Sequence, residues 1–365
     1  MSSEFGKNLK ITIFGESHGA GVGMVADGFP AGERIDMDAL GRFMARRRPG
    51  QGGLVTPRNE KDAPVFLSGI VDGKTCGSPV CAVIMNTDVR SGDYESISDL
   101  PRPGHADYTA WVKSRGNADL RGGGHFSGRL TAPLCIAGGM AIQILARRGV
   151  YVGAHLASVG QAEDLPFPQE PSRAIFEAVA GRMPPVIDEA RGKAITAEIE
   201  RAAARQDSLG GVVACAVTGL PPGLGSPMFG GVENRLAAAI FGIPAVKGVE
   251  FGAGFAAARM CGSEHNDPFL VEDGRIKTAS NNSGGILGGI TTGMPVLVQA
   301  AFKPTPSIFR EQQTVSLSAM TPEKVRIRGR HDPCVALRAV PVVEAVTAAV
   351  ILDMILEENG NAATL

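Results

Sequence analysis

Apolar and polar positions alternate over Lys10 to Phe14 (KITIF), the period-two pattern of a strand with one buried face, and the run leads straight into GESHG, Gly15 to Gly19. A second extended stretch, Val22 to Asp27, closes in the turn Gly28-Phe29-Pro30-Ala31-Gly32. The period then changes. Asp36 or Asp38 is placed to cap a helix running through Leu40 and Phe43 to Arg46, Arg47 and Arg48, where Pro49-Gly50 stops it. A long glycine-rich loop follows, then strands near Pro64 to Ile70 and Pro79 to Asn86. Leu130 to Arg148 carries apolar residues at helical spacing and ends at Gly149, and Tyr151 to Gly160 reads as extended. Gln161 to Gln206 is richer in Pro, Glu and Arg, predicts helices over Pro171 to Gly181 and Ile195 to Gln206, and reads as a connection between two halves.

The halves are suggested by an internal repeat. Ser68 to Val80 (SGIVDGKTCGSPV) aligns without gaps on Gly284 to Val296 (GGILGGITTGMPV), with seven identities in thirteen positions. Earlier, Gly28-Phe29-Pro30-Ala31-Gly32 resembles Gly219-Leu220-Pro221-Pro222-Gly223; later, RPGHAD from Arg102 resembles RGRHD from Arg328, each preceding a long apolar helix. Shared turn chemistry is the bland alternative. A duplicated chain would give each half a small, mostly antiparallel sheet with one or two amphipathic helices. The expected class is therefore α+β: a β-α-β sandwich with helices packed between two antiparallel sheets, built from a pseudo-two-fold repeat. It forms a single domain over residues 1–365, with halves approximately 1–150 and 207–365 connected by 151–206. A cleft between the copies would draw residues from distant parts of the chain.

Charge alters this picture only locally. A net charge of -1 and a pI near 6.6 give no general basic field to attract nucleic acid or an acidic membrane. The 48 glycines sit beside β-branched and apolar runs, so they mark tight turns and not low-complexity sequence. Cys76, Cys81, Cys135, Cys215, Cys261 and Cys334 form no CxxC pair and are expected to be buried reduced thiols. MSSEFGKNLK lacks the apolar core of a signal peptide, and no apolar run is expected to reach the ~20 residues that span a bilayer, so a cytoplasmic protein is predicted.

The chemistry concentrates in Arg102 to Ala132, where arginines and two of the six histidines accompany a glycine triplet that runs toward a predicted helix start. Consecutive glycines let backbone N–H groups converge on one anion, and arginines add forked donors for phosphate or carboxylate. His18, His105, His125 and His331 all occupy glycine- or arginine-rich turns, suited to proton transfer or to a satisfied structural role. GESHG fits the nucleophile elbow G-x-S-x-G, but an extended segment follows in place of the required helix. A serine hydrolase acting through Ser17 is therefore the weaker reading, beside a turn that presents Ser17 and His18 to a ligand. GGGHFSGR lacks a P-loop ending yet suits a single phosphate. NNSGGILGGITTG with KPTPS (Lys303 to Ser307) suits another, and GRHDP adds a guanidinium, an imidazole and a carboxylate in succession. No metal-ligand spacing is present, so no metal site is expected. Arg46 to Arg48 read either as a solvated helix end or as cations facing an anion. A flavin- or phosphate-binding protein without activity is the non-enzymatic alternative.

GESHG, RRRPG, NTD (Asn86 to Asp88), RPGHADYT, GGGxxSxR, DSxG, AVKGVEFG, GGILGGI, KPTPS and GRHDPCVALRAVP together resemble the chorismate synthase family, in that family's order and across nearly the whole chain. The resemblance implies a helix layer between two antiparallel sheets and a homotetramer. It implies the last step of the shikimate pathway, in which 5-enolpyruvylshikimate 3-phosphate loses phosphate and a ring proton in a 1,4-anti elimination. Reduced FMN is needed without net redox change, and NADPH is a possible reductant. By motif position, His18 looks like the acid for the leaving phosphate and His105 like the proton donor to the reduced flavin. Asp332 would help return the ring proton taken up at the flavin, with Ser17 and Ser127 as hydrogen-bonding partners. Arg47, Arg102, Arg129 and Arg338 resemble substrate-facing arginines, and Arg47 also lies where NADPH would approach. Flavin contacts would come from His125, Phe126, Ser127, Ala245, Gly288, Lys303, Pro304, Thr305, Pro306, Ser307 and Arg330. The chain departs from the family pattern at GGGHFSGR, where His125 and Phe126 stand for an arginine and a serine. The loops Gly50 to Lys61 and Arg310 to Lys324 are suited to being lids.

Overall fold

The alternating segments assemble into two separate sheets. The computed structural model describes residues 3–48, 62–86, 99–327 and 332–362. Glu4–Phe5 (β1), Lys10–Gly15 (β2), Gly21–Asp27 (β3), Val65–Ser68 (β4) and, after the hairpin Ile70–Val71 (β5) and Lys74–Thr75 (β6), Val80–Met85 (β7) form the first, an antiparallel sheet of order β1-β2-β3-β7-β4. Tyr151–Val159 (β8), Ala162–Glu163 (β9), Gly211–Thr218 (β10) and Val246–Phe251 (β11) belong to the second. The hairpins Phe269–Glu272 (β12) with Arg275–Thr278 (β13) and Ile286–Leu287 (β14) with Ile290–Thr291 (β15) come next in the chain. Val296–Phe302 (β16) then completes the second sheet in the order β11-β16-β10-β8-β9, and Glu311–Ser316 (β17) pairs with Thr321–Arg326 (β18).

Helices accompany the sheets, and two of them lie between. The main ones are Met37–Arg47 (α1), Asp107–Ser114 (α2), Thr131–Ala146 (α3), Arg173–Ala180 (α4), Glu189–Ala204 (α5), Val232–Phe241 (α6) and Ala336–Ala362 (α7). α3 packs on β2, β3 and β7, α7 packs on β8 and β10, and the two helices pack on each other. They touch backbone to backbone: a Cβ on Gly138 would lie 2.3 Å from Cα of Ala345. Helices enclosed on both sides need no polar face, so α3 is apolar nearly all round.

Both α3 and α7 exceed what the sequence led us to expect. Gly128–Ala146 and Ala336–Gly360 are long and apolar enough to cross a membrane by length and composition, but 78% and 89% of their most apolar stretches are buried inside the fold. Arg338, Glu344 and Asp353 interrupt the second run in sequence, and the fold pairs all three. Glu344 accepts from Arg46 Nη1 and Nη2 (2.6 and 2.7 Å) and from the Ala154 N–H (3.0 Å), linking α1, α7 and β8. Asp353 accepts from the backbone N–H groups of Lys7, Asn8 and Leu9 at 3.0, 2.7 and 2.8 Å and pairs with Arg235.

Reversing one sheet's order sets β1 against β9, β2 against β8, β3 against β10, β7 against β16 and β4 against β11. The hairpins β5–β6 and β14–β15 correspond in detail. Thr75 Oγ1 donates to Pro30 O and accepts from Glu33 N, while Thr291 Oγ1 donates to Pro221 O and accepts from Leu224 N.

Several boundaries differ from the sequence reading. Asp36, not Asp38, caps α1, accepting from the Asp38 and Ala39 N–H groups. α5 begins at Glu189 and not near Ile195, because Asp188 supplies the cap. Arg310 to Lys324 is not an open loop: it lies largely in the β17–β18 hairpin, fastened to Asp99 by the N–H groups of Leu317 (3.0 Å) and Ser318 (2.9 Å). Gly50 to Lys61 lies outside the described residues. Only Cys135, Cys215 and Cys334 are buried thiols, and burial pushes Cys135 up to about 12 and Cys334 up to about 11. Cys76 and Cys261 are exposed, near a hairpin end and at a helix cap.

Candidate active site

A cleft of about 1000 Å³ opens where the two sheets' loops meet. It is lined from 3 to 134 by one half of the chain and from 238 to 342 by the other. One wall includes Gly122, the start of the glycine triplet. The triplet does not run smoothly into a helix: Gly122, Gly123 and Gly124 have φ of 60°, 90° and 52°, left-handed values that side chains resist. The conformation brings backbone against imidazole. A Cβ on Gly122 would sit 2.5 Å from Cδ2 and 2.6 Å from Nε2 of His18, and one on Gly123 would sit 3.0 Å from Nε2 of His105. The triplet's Gly124 carbonyl accepts from the Ser17 N–H at 3.1 Å, locking the GESHG turn to it.

That turn is not a nucleophile elbow. β3 begins at Gly21, no helix follows Ser17, and Ser17 is buried. The serine hydrolase reading therefore fails on local geometry.

His105 is oriented by Asp107, the first residue of α2. Its Nδ1 lies 2.6 Å from Asp107 Oδ1, so the neutral ring carries its proton there and turns Nε2 toward Gly123. Arg102 donates to the same carboxylate through Nε and Nη2, both at 2.7 Å. Burial would raise the Asp107 pKa, but the hydrogen bonds and charges of Arg102 and His105 hold it far below the ordinary carboxylate range.

The other three arginines are braced in the same way. Asp62, its side chain fully buried, accepts from Arg47 Nε (3.1 Å) and Nη2 (2.7 Å) on one oxygen and from Arg129 Nη1 on the other. Here too burial pushes the carboxyl up and the two guanidinium groups, outweighing it, bring it below its ordinary value. Arg338 donates to Asp332 Oδ2 (2.7 Å) and to the Arg47 carbonyl (2.9 Å). Arg47, only 1% exposed, is thus no solvated helix end, and the countercharges that bury Arg46 and Arg47 come from Glu344 and Asp62.

Across the cleft lie Lys303, Thr305, Pro306 and Ser307. Burial, with Lys247 nearby, lowers the Lys303 pKa, and its Nζ donates to the Gly104 carbonyl at 2.8 Å. Thr305 Oγ1 is buried without a hydrogen-bond partner among the described residues. Ser307 Oγ accepts from Arg102 Nη1 at 3.4 Å.

Phe126, Ser127 and Ala245 also line the cleft. His125 lines it as well, but both ring nitrogens are engaged within the protein: Nδ1 lies 2.8 Å from the Gly15 carbonyl and Nε2 2.6 Å from Ser3 Oγ. Any ligand contact from His125 is thus through ring edge or backbone, a narrower role than the motif suggested. Ser127 Oγ accepts from the Arg129 N–H at 3.3 Å, which leaves the O–H to donate. Ser17 and His18, which lie behind Gly122, are not among the lining residues, nor are Gly288, in the β14–β15 turn, and Pro304; Arg330 and His331 lie outside the described residues. Asp62, Asp107 and the bracing role of Asn86 were not anticipated. Asp107 stands two residues after His105, a spacing that could have flagged it, whereas nothing in the sequence marks Asp62.

Known proteins are similar to this chain over nearly its whole length. Residues 9–356 match the family model described as chorismate synthase. The chain is 47% identical over 358 residues to the chorismate synthase of Korarchaeum cryptofilum, covering 98% of each, and 46% identical over 355 residues to that of Thermococcus kodakarensis, covering 97% of this chain and 98% of the other. A solved structure titled "Crystal Structure of Chorismate Synthase" superposes with a TM-score of 0.78 at 29% identity, over 98% of this chain and 94% of that one.

Proposed function

The chain belongs to the chorismate synthase family, and from that premise we propose how its cleft performs the family's reaction. That reaction is a carbon–oxygen lyase step: 5-enolpyruvylshikimate 3-phosphate loses phosphate and a ring proton by 1,4-anti elimination to give chorismate. One observation carries the residue assignment. His105 lines a cleft whose arginines are each held by a carboxylate, and His18 lies directly behind Gly122, a residue of the cleft wall.

In this reading Arg47, Arg102, Arg129 and Arg338 receive the substrate's phosphate and carboxylates, already oriented before it arrives. His18 gives its proton to the departing phosphate, with Ser17 and Ser127 as hydrogen-bonding partners of the site. His105, its Nδ1–H held by Asp107, carries a second proton on Nε2 at the flavin side of the wall, and Asp332, held by Arg338, helps to return the ring proton.

The family requires a reduced flavin, which we assign as FMN; when bound it lends electron density to the breaking C–O bond and recovers it, leaving no net redox change. The residues present suit such a group. The unpartnered Thr305 hydroxyl, the Lys303 cation and the apolar surface of Phe126, Ala245 and Pro306 would hold it with Ser127, Ser307 and the edge of His125. Gly288, Pro304 and Arg330 are assigned to the same group by motif alone. NADPH approaching Arg47, which lines the cleft, is the corollary of the same resemblance.

We also infer a pseudo-two-fold duplication of halves approximately 1–150 and 207–365, supported by the match of β3, β7 and β4 with β10, β16 and β11 and by the twin Thr75 and Thr291 bonds; β8 and β9, which match β2 and β1, extend the second copy into the 151–206 connection. A homotetramer is supported by apolar side chains left exposed, among them Leu67, Met85, Phe229 and Val271. A cytoplasmic setting agrees with six free thiols.

The test is an anaerobic mixture of the full-length protein, 5-enolpyruvylshikimate 3-phosphate and chemically reduced FMN. Equal appearance of chorismate and phosphate, with flavin still reduced at the end, is expected. Absence of both while flavin and substrate bind would overturn the residue assignment.

A further inference from the structure

Asn86 directly follows β7, beside the GESHG turn, and its backbone N–H and both polar atoms of its side chain are engaged. Its backbone N–H donates to the Ala20 carbonyl at 3.1 Å. Its side-chain nitrogen lies 3.0, 3.1 and 3.0 Å from the carbonyl oxygens of Glu16, Ser17 and Gly19, so two hydrogens serve three acceptors around His18. Its side-chain oxygen accepts from Arg129 Nε at 3.0 Å. The amide cannot be turned over, since that would set its oxygen against three carbonyls and its NH₂ against a guanidinium that only donates.

One side chain thus joins the turn bearing His18 to an arginine of the anion-binding wall. We propose that Asn86 is a positioning residue that fixes His18 relative to Arg129, so that proton donor and bound anion keep one spacing. The inference rests on His18 being the acid.

The experiment uses the full-length protein with reduced FMN and compares Asn86→Ala, His18→Ala and the double variant. With an ångström of misplacement costing on the order of 100-fold, Asn86→Ala is expected to lower kcat by about 10-fold or more, with a smaller change in KM. In the His18→Ala background the same substitution should cost less than about 3-fold, because the group it positions is gone. Equal losses in both backgrounds would overturn the proposal while leaving His18 as the acid; a His18→Ala variant with full kcat would overturn the acid assignment and this proposal with it. Asn86→Asp keeps the shape but turns a carboxylate oxygen on three carbonyls, so it should do no better than Ala, and recovery to the parent kcat would refute the role. Should the Asn86 variants fail to fold, Arg129→Lys keeps the charge but loses the Nε–H and carries the same comparison: a kcat loss that shrinks without His18 supports the coupling, and an undiminished one refutes it.

Discussion

A methyl group on Gly122 would test the wall between the cleft and His18. The added Cβ would lie 2.5 Å from His18 Cδ2, and ordinary contact begins at 3.4 Å, so the imidazole must retreat by 3.4 − 2.5 = 0.9 Å. A shift of roughly one ångström at a proton donor costs about 100-fold in rate, or ~2.7 kcal/mol of barrier. The left-handed φ of 60° adds a separate cost to folding, ~1–2 kcal/mol for a residue with a side chain. These two effects can be separated. Gly149, beyond the end of α3, has φ of 77° and no atom within 4 Å of its Cβ position, so Gly149→Ala carries the strain without the displacement. Melting temperatures of the two variants should fall comparably, while kcat with reduced FMN should fall about 100-fold for Gly122→Ala alone. A folded Gly122→Ala protein within about 3-fold of the parent kcat, far short of that loss, would show that the imagined contact does not govern proton delivery.

Two further outcomes follow from buried charge. Asp62→Asn leaves Arg47 and Arg129 facing each other without their anion, which should cost about 3–5 kcal/mol. Because the folded Asp62 pKa lies below its unfolded value of about 3.9, the carboxylate's contribution is present above that value and fades as pH falls through the folded one. The gap in melting temperature between parent and variant should therefore be wide near neutrality and close in acid; a gap that persists unchanged below about pH 3 would contradict the ion-pair account. Glu344→Ala strands Arg46 and the Ala154 N–H and should lower the unfolding free energy in urea by about 3–5 kcal/mol. Glu344→Gln, still able to accept the N–H bond, should recover part of it, and equal losses would argue that only the charge matters.

What the sequence disclosed was local or periodic. KITIF and Val22 to Asp27 became β2 and β3 because alternation states which face is buried, and Asp36 capped its helix because a cap involves only the next three residues. The SGIVDGKTCGSPV repeat fell on the β5–β6 and β14–β15 hairpins. Pairings across the chain were not visible. Arg46 and Arg47 read either as a solvated end or as cations facing an anion, and their true partners stayed hidden because Glu344 is 298 residues away and Asp62 lies in a segment without periodicity. His125 looked free for a ligand because nothing near it in sequence forecasts Ser3 or the Gly15 carbonyl. Arginine and histidine motifs indicated where chemistry would gather, but the carboxylates that aim them had to be found in space.

The three N–H groups of Lys7, Asn8 and Leu9 all end on Asp353. The turn between β1 and β2 therefore acquires its partner only after α7, 344 to 346 residues later in the chain, has been made. Until then three donors of that turn must be served by water, so the first sheet is completed from the second half of the chain. Cutting α7 short of Asp353 should thus unsettle the β1–β2 turn, so that proteases cleave a truncated protein there.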